Sequence, residues 1–248
     1  MAFATHSLSE RPDLLDQVLE LDKGAWPDFL RYRDTPHWKH VFDTFAHHQI
    51  LICDGSNRVA AVGYMVPLVW DGTLTDLPET LDEILVRALQ TEEEGRKPNA
   101  VCALAAIVAQ EYQGRGLSRM ILREMRRSGR QLGCADLIIP VRPTWKARYP
   151  LIPLEEYVRW TRTDGAPFDP WLRVHWRMGA SFLKVARNTL TVEAPVAQWE
   201  EWTGVPMPGS GQYVVPGALQ PVAVDREADV GVYADPHVWM KHPLANAA

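Results

Sequence analysis

Apolar residues recur at helical spacing in the first fifty positions and then give way to unbroken and alternating runs. Leu14, Leu15, Val18, Leu19 and Leu21 predict a helix over 11–33, with Pro12 near its start and a break before Pro27. Trp38, Val41, Phe42 and Phe45 predict a second helix over 36–48. Two apolar, β-branched runs at 49–53 and 58–70 flank Asp54-Gly55-Ser56-Asn57, which is hairpin punctuation and predicts an antiparallel pair. Residues 71–99 interrupt the sheet pattern as an insertion, helical over 78–90 and charged over 91–98. An almost continuous apolar run at 100–109 then predicts a central strand covered on both faces.

Immediately after that strand come Gln113-Gly114-Arg115-Gly116, followed by a helix over 117–132 on which Leu117, Ile121, Met125 and Leu132 form one stripe and Gly133 supplies the stop. A strand at 136–141, helices at 154–161 and 171–178, and a strand at 182–192 complete the pattern. The remainder, 195–248, is rich in proline, glycine and aromatics, with strands expected at 219–225 and near 230–233.

Composition narrows the function. The chain has 248 residues and is 46% hydrophobic, enough for a substantial core, and its net charge of −5 gives no electrostatic case for nucleic-acid binding. The first ten residues lack the pattern of a signal peptide and no run approaches the ~20 apolar residues of a membrane helix, so a cytoplasmic protein without membrane association is expected. Cys53, Cys102 and Cys134 fit buried thiols. The histidines at 37, 40, 47 and 48 lack a third acidic or cysteine ligand at metal spacing, so no metal is expected.

A glycine loop between a buried strand and a helix aims several backbone N–H groups and the positive helix end at one point, which suits a phosphate. Gln113, Gly114, Arg115, Gly116, Leu117 and Ser118 resemble the Gln/Arg-x-x-Gly-x-Gly/Ala signature of the GNAT acetyltransferase superfamily, with serine at the last small position. The order of elements over about 5–192 is similar too. The resemblance implies an α/β (α+β) GNAT fold: a central mixed, mostly antiparallel twisted sheet flanked by helices, with an insertion at 71–99 and a C-terminal extension. It implies one acyl-CoA-binding domain over 1–194, with 195–248 packed on it. The amides of 113–118 would hold the CoA pyrophosphate, and Ile107, Val108 and Ala109 would pair with the pantetheine arm.

The resemblance also points to chemistry. Many GNAT enzymes use a tyrosine four residues before the glycine of the late helix as acid for the CoA thiolate. That glycine corresponds to Gly179 here, and the position holds His175, an imidazole able to exchange a proton near neutrality. A buried structural histidine is the competing reading, and Tyr149 and Tyr157 are possible substitutes. Thr144 and Arg142, after the strand that follows the signature helix, either contact the acyl group as catalytic and substrate-binding residues or cap the next element.

Three functions follow. The first is acyl-CoA-dependent transfer, from acetyl-CoA or another acyl-CoA to an amine, by direct transfer in a ternary complex. The second is malonyl-CoA decarboxylation with S-acyl transfer, as in the GNAT-like loading domains of polyketide synthases. The third is non-catalytic acyl-CoA binding. The partner is a small-molecule acyl acceptor or a carrier-protein thiol, and a homodimer is compatible with the sequence.

Overall fold

The computed structural model describes residues 3–32 and 35–244. Contacts divide them into two units, 3–25, 35–139 and 241–244 in the first and 26–32 and 140–240 in the second.

In the first unit β1 (Ala4–Ser7) precedes α1 (Leu15–Ala25), and β2 (Ile50–Cys53) and β3 (Val59–Leu68) form the expected antiparallel hairpin. Every residue of β2 and β3 is buried, as their apolar composition requires. Residues 71–99 contain α2 (Leu81–Glu93), capped by the Thr80 hydroxyl, which accepts from the Glu83 amide at 3.1 Å. Next come β4 (Ala100–Val108), α3 (Leu117–Gln131) and β5 (Asp136–Val141). The strand order is β1-β2-β3-β4-β5, antiparallel except for β4–β5, which is parallel.

Helix α3 buries Leu117, Ile121, Leu122 and Met125 against β3 and β4. The approach is close, since a Cβ on Gly63 would stand 2.4 Å from Ile121 Cγ2 and 2.8 Å from Met125 Cε. The chain's last described residue completes this unit: the Leu244 amide donates to the Ala135 carbonyl at 2.8 Å, and Arg130 Nε donates to the Leu244 carbonyl at 2.9 Å.

Residues 36–48 depart from expectation. Two short 3₁₀ segments, Pro36–Val41 and Ala46–His48, replace the single amphipathic helix. The Asp43 carboxylate accepts from both the amide and the hydroxyl of Thr44, a local side-chain bond that competes with the helical ladder. The first predicted helix is α1 flanked by 3₁₀ turns at Pro12–Leu14 and Asp28–Tyr32, and its expected end at Arg33 lies outside the described residues. The three cysteines are buried free thiols.

The second unit holds α4 (Leu154–Tyr157), α5 (Pro170–Arg177), β6 (Ser181–Ala194), α6 (Val196–Thr203), β7 (Gly211–Tyr213), β8 (Val222–Asp225) and β9 (Val230–Pro243), whose last three residues belong to the first unit. β7, β8 and β9 form an antiparallel meander, and β6 also pairs with β9. α4 is shorter than predicted because Trp160 and Thr161 turn to meet Phe168 and Pro167. β9 is far longer than the strand expected near 230–233, and α6 and β7 were not anticipated. Pro236 and the polar Asp235 and His237 mask the strand in sequence. The core joins the 26–32 segment to α6 and β9: the Phe29 ring lies 5.4 Å from Trp199 and 5.2 Å from Tyr233. Trp199 Nε1 donates to the Gly231 carbonyl at 2.9 Å, and its indole lies where a Cβ at 231 would be. Among the described residues no helix is long and apolar enough to cross a membrane.

Candidate functional site

Between β4 and α3 the chain makes a 3₁₀ turn at Gln110–Tyr112 and then the glycine loop. Gly114 and Gly116 have φ of +76° and +81°, the left-handed region that disfavours side chains, and Gly116 is the N-cap of α3. A Cβ at either would meet open space, so the loop is unobstructed on its outer side. Among the described residues no carbonyl accepts from the amides of Gly114, Arg115, Gly116, Leu117 or Ser118. No acidic residue stands in the first turn of α3 to offset its positive end. Arg115 is exposed and makes no ion pair among the described residues, and its guanidinium carbon lies 5.4 Å from the Tyr112 ring centroid. Gln113 Nε2 reaches the Val108 carbonyl at 3.4 Å. Open amides, a helix N-terminus and an unpaired cation suit a diphosphate.

The strand leading into this loop is half open. β4 pairs with β5 only from Ala100↔Asp136 to Cys102↔Ile138. On its other side the register against β3 skips Leu104, a bulge that turns the strand after Ala103. From Ala103 through Ile107, Val108 and Ala109 the chain therefore has no strand partner on the β5 side among the described residues, an edge that suits an amide-bearing chain.

The remaining predicted residues lie in the second unit. Thr144 is exposed, whereas His175 is fully buried in the last turn of α5, 4.4 Å edge-on from the Trp171 ring. Asp169 fixes this region. It caps α5 through the Trp171 and Leu172 amides, at 2.9 and 3.2 Å, and also accepts from the Trp145 amide at 2.8 Å and the Tyr157 hydroxyl at 2.9 Å. Burial and Asp169 push the Tyr157 phenol well above its usual range. Tyr149 and Tyr157 stand among Trp160 and Phe168 in one aromatic cluster. Lys146 is buried, donates to the carbonyls of Tyr149 (2.9 Å) and Leu219, and is pushed down to about 8 by burial.

Arg142 meets Asp235 side-on, Nε to Oδ2 at 2.8 Å and Nη2 to Oδ1 at 3.1 Å, and donates to the Gly217 carbonyl at 2.8 Å. Asp235 also accepts from the Tyr233 hydroxyl and from His237 Nε2 at 2.8 Å. Burial alone would raise the Asp235 carboxyl, but Arg142 and these hydrogen bonds hold it well below the carboxylate range. Three of the five guanidinium N–H groups are thus engaged by Asp235 and the Gly217 carbonyl. Sequence reasoning reached Arg142 but not its carboxylate partner. The signal available was the alternation of Tyr233, Asp235 and His237, which puts all three on one strand face.

No family model matches the sequence. Arginine N-acetyltransferase avaD of Aspergillus versicolor is 30% identical to it over 98% of this chain and 94% of its own length. Two solved structures share the fold at 15% identity. They are the loading GNATL domain of CurA from Lyngbya majuscula (TM-score 0.68, 98% of both chains) and the GphF GNAT-like decarboxylase in complex with isobutyryl-CoA (TM-score 0.62, 99% of this chain and 100% of that one). A glycine loop open to a diphosphate, a half-open strand before it and a relative matched along nearly its whole length lead to one conclusion: the chain belongs to the GNAT superfamily and is an acyltransferase drawing on acyl-CoA.

Proposed function

We propose that the protein transfers an acetyl group from acetyl-CoA to an arginine-type amine by direct attack in a ternary complex. The observation that carries the donor is the glycine loop, where no carbonyl among the described residues accepts from the Gly114, Gly116, Leu117 and Ser118 amides, and which with Arg115 suits the CoA diphosphate. The acceptor class rests on the arginine N-acetyltransferase relative. The neutral amine attacks the thioester carbonyl, the tetrahedral adduct gives up the amine proton to solvent water, from which His175 regains the proton it donates, and the C–S bond breaks as CoA leaves. His175 protonates the departing thiolate. Support for that role is its place four residues before Gly179, in a turn held by the Asp169 cap. Thr144, an exposed residue, donates to the acyl carbonyl, and Arg142 binds substrate.

The test is mass spectrometry and thiol release with acetyl-CoA or malonyl-CoA, with and without arginine, beside His175→Ala. Arginine-dependent release of CoA with an acetylated product is expected, and the variant should lose about 10²–10⁴-fold in kcat. Conversion of malonyl-CoA to acetyl-CoA without acceptor, abolished in the variant, would replace this reading with the decarboxylase. Full activity of the variant would remove His175 from the chemistry.

A further inference from the structure

The residue before the glycine loop is anchored from a distant part of the chain. Asp54 opens the β2–β3 turn, and its Oδ1 closes that turn by accepting from the Ser56 and Arg58 amides at 2.8 and 3.0 Å. Its other oxygen is not needed for the hairpin. Oδ2 instead accepts from the Tyr112 hydroxyl at 2.5 Å, across 58 residues of sequence. Both side chains are buried, Asp54 at 8% and Tyr112 at 5% exposure. Nearby, the Ala109 amide donates to the Ala60 carbonyl at 3.0 Å, a second tie between the hairpin and the approach to the loop. Arg58 and Glu111 add an exposed ion pair at 3.3 Å, which contributes little.

Tyr112 is thus held at its hydroxyl while its ring is engaged on two sides. Phe3 meets it edge-on at 6.0 Å, and the Arg115 guanidinium lies over it at 5.4 Å. Cation–π attraction of this kind orients a side chain without neutralising its charge. Arg115, lacking a carboxylate partner among the described residues, keeps its full charge for an anion.

We infer that Asp54 and Tyr112 are positioning residues for the acyl-CoA diphosphate, acting through the Tyr112 ring on Arg115 and the amides of the glycine loop. The inference rests on the reading of that loop as the acyl-CoA site. The tie persists at neutral pH: the Tyr112 hydrogen bond holds the Asp54 carboxyl below its usual range, and Asp54 in turn raises the phenol.

Tyr112→Phe keeps the ring beneath Arg115 and removes only the anchor. Steady-state kinetics should be compared on acetyl-CoA and on acetyl-pantetheine, which presents the same thioester without the diphosphate. The variant should lose about tenfold in kcat/KM on acetyl-CoA, through KM with kcat within about twofold, and nothing on acetyl-pantetheine. CoA binding measured by calorimetry should weaken by the same factor. Asp54→Asn, which can still close the turn through its amide oxygen, should show the same selective loss if Tyr112→Phe folds poorly. Equal losses on both substrates would reduce the pair to a structural role, and unchanged acetyl-CoA kinetics in both folded variants would overturn the inference. Failure of the loop reading itself looks different: the unmodified protein would use acetyl-pantetheine as well as acetyl-CoA.

Discussion

Asp235 is a fully buried carboxylate with four hydrogen-bond donors around it, from Arg142 twice, Tyr233 and His237. Its lone-pair positions are filled, the condition under which a buried charge is tolerated. His48 solves its burial the other way, by staying neutral: burial, aided by His47, pushes its imidazole down to about 4. A histidine whose folded pKa lies below its unfolded value, about 6.5, stabilises the fold fully above that value and loses this contribution as pH falls toward 4. His48→Leu should therefore resist acid better than the unmodified chain. Urea unfolding at pH 8 and pH 5 should show a gap that moves in favour of the variant at the lower pH, by about 2 kcal/mol. A gap independent of pH would mean that His48 charges freely in the folded protein.

At the scale of elements, the position of α3 depends on the absence of a side chain at Gly63. Ile121 and Met125 occupy the space a Cβ would need, so the helix that begins at the glycine loop lies close to β3. Gly63→Ala should destabilise by about 1–3 kcal/mol through overpacking, read as a lower urea midpoint with an unchanged slope. Because α3 must shift to relieve the clash, acyl-CoA binding should weaken as well. The stripe on α3 was readable from its spacing, and its observed bounds, Leu117–Gln131, agree closely with the prediction. The segment 36–48 had the same spacing and did not become one helix, because the Asp43–Thr44 contact satisfies the backbone locally. Periodicity reports which residues face the core, and 3₁₀ turns can satisfy that as well.

For the molecule as a whole, the division into two units follows contacts rather than composition. β5 and β9 each contribute residues to both units, so the boundaries at 139/140 and 240/241 fall inside strands, where no linker-like sequence marks them. The last described residues matter accordingly to the unit that carries the glycine loop. Leu244 is buried, pairs with Ala135 and Arg130, and occupies the space beside Gly129 on α3. A chain ending at Met240 should melt lower by roughly 10 °C, since losing Leu244 and its hydrogen bonds removes on the order of 3–5 kcal/mol. Calorimetry of the shortened chain checks this, and an unaltered melting temperature would show that these contacts contribute nothing.

The glycine loop, the buried strand before it and the amphipathic helix after it were legible in the sequence alone, because glycine placement, an apolar run and helical spacing are each patterns within a few residues. Gly114 and Gly116 had to be glycine for a left-handed turn, and the α3 stripe had to be apolar to cover a sheet. Other features were decided only by tertiary structure: that β4 parts from β5 after Cys102, that Asp54 anchors Tyr112, and that Arg142 finds Asp235. Each of these involves residues 36 or more positions apart. No local propensity specifies such a partner, and only the folded sheet brings the two groups within reach.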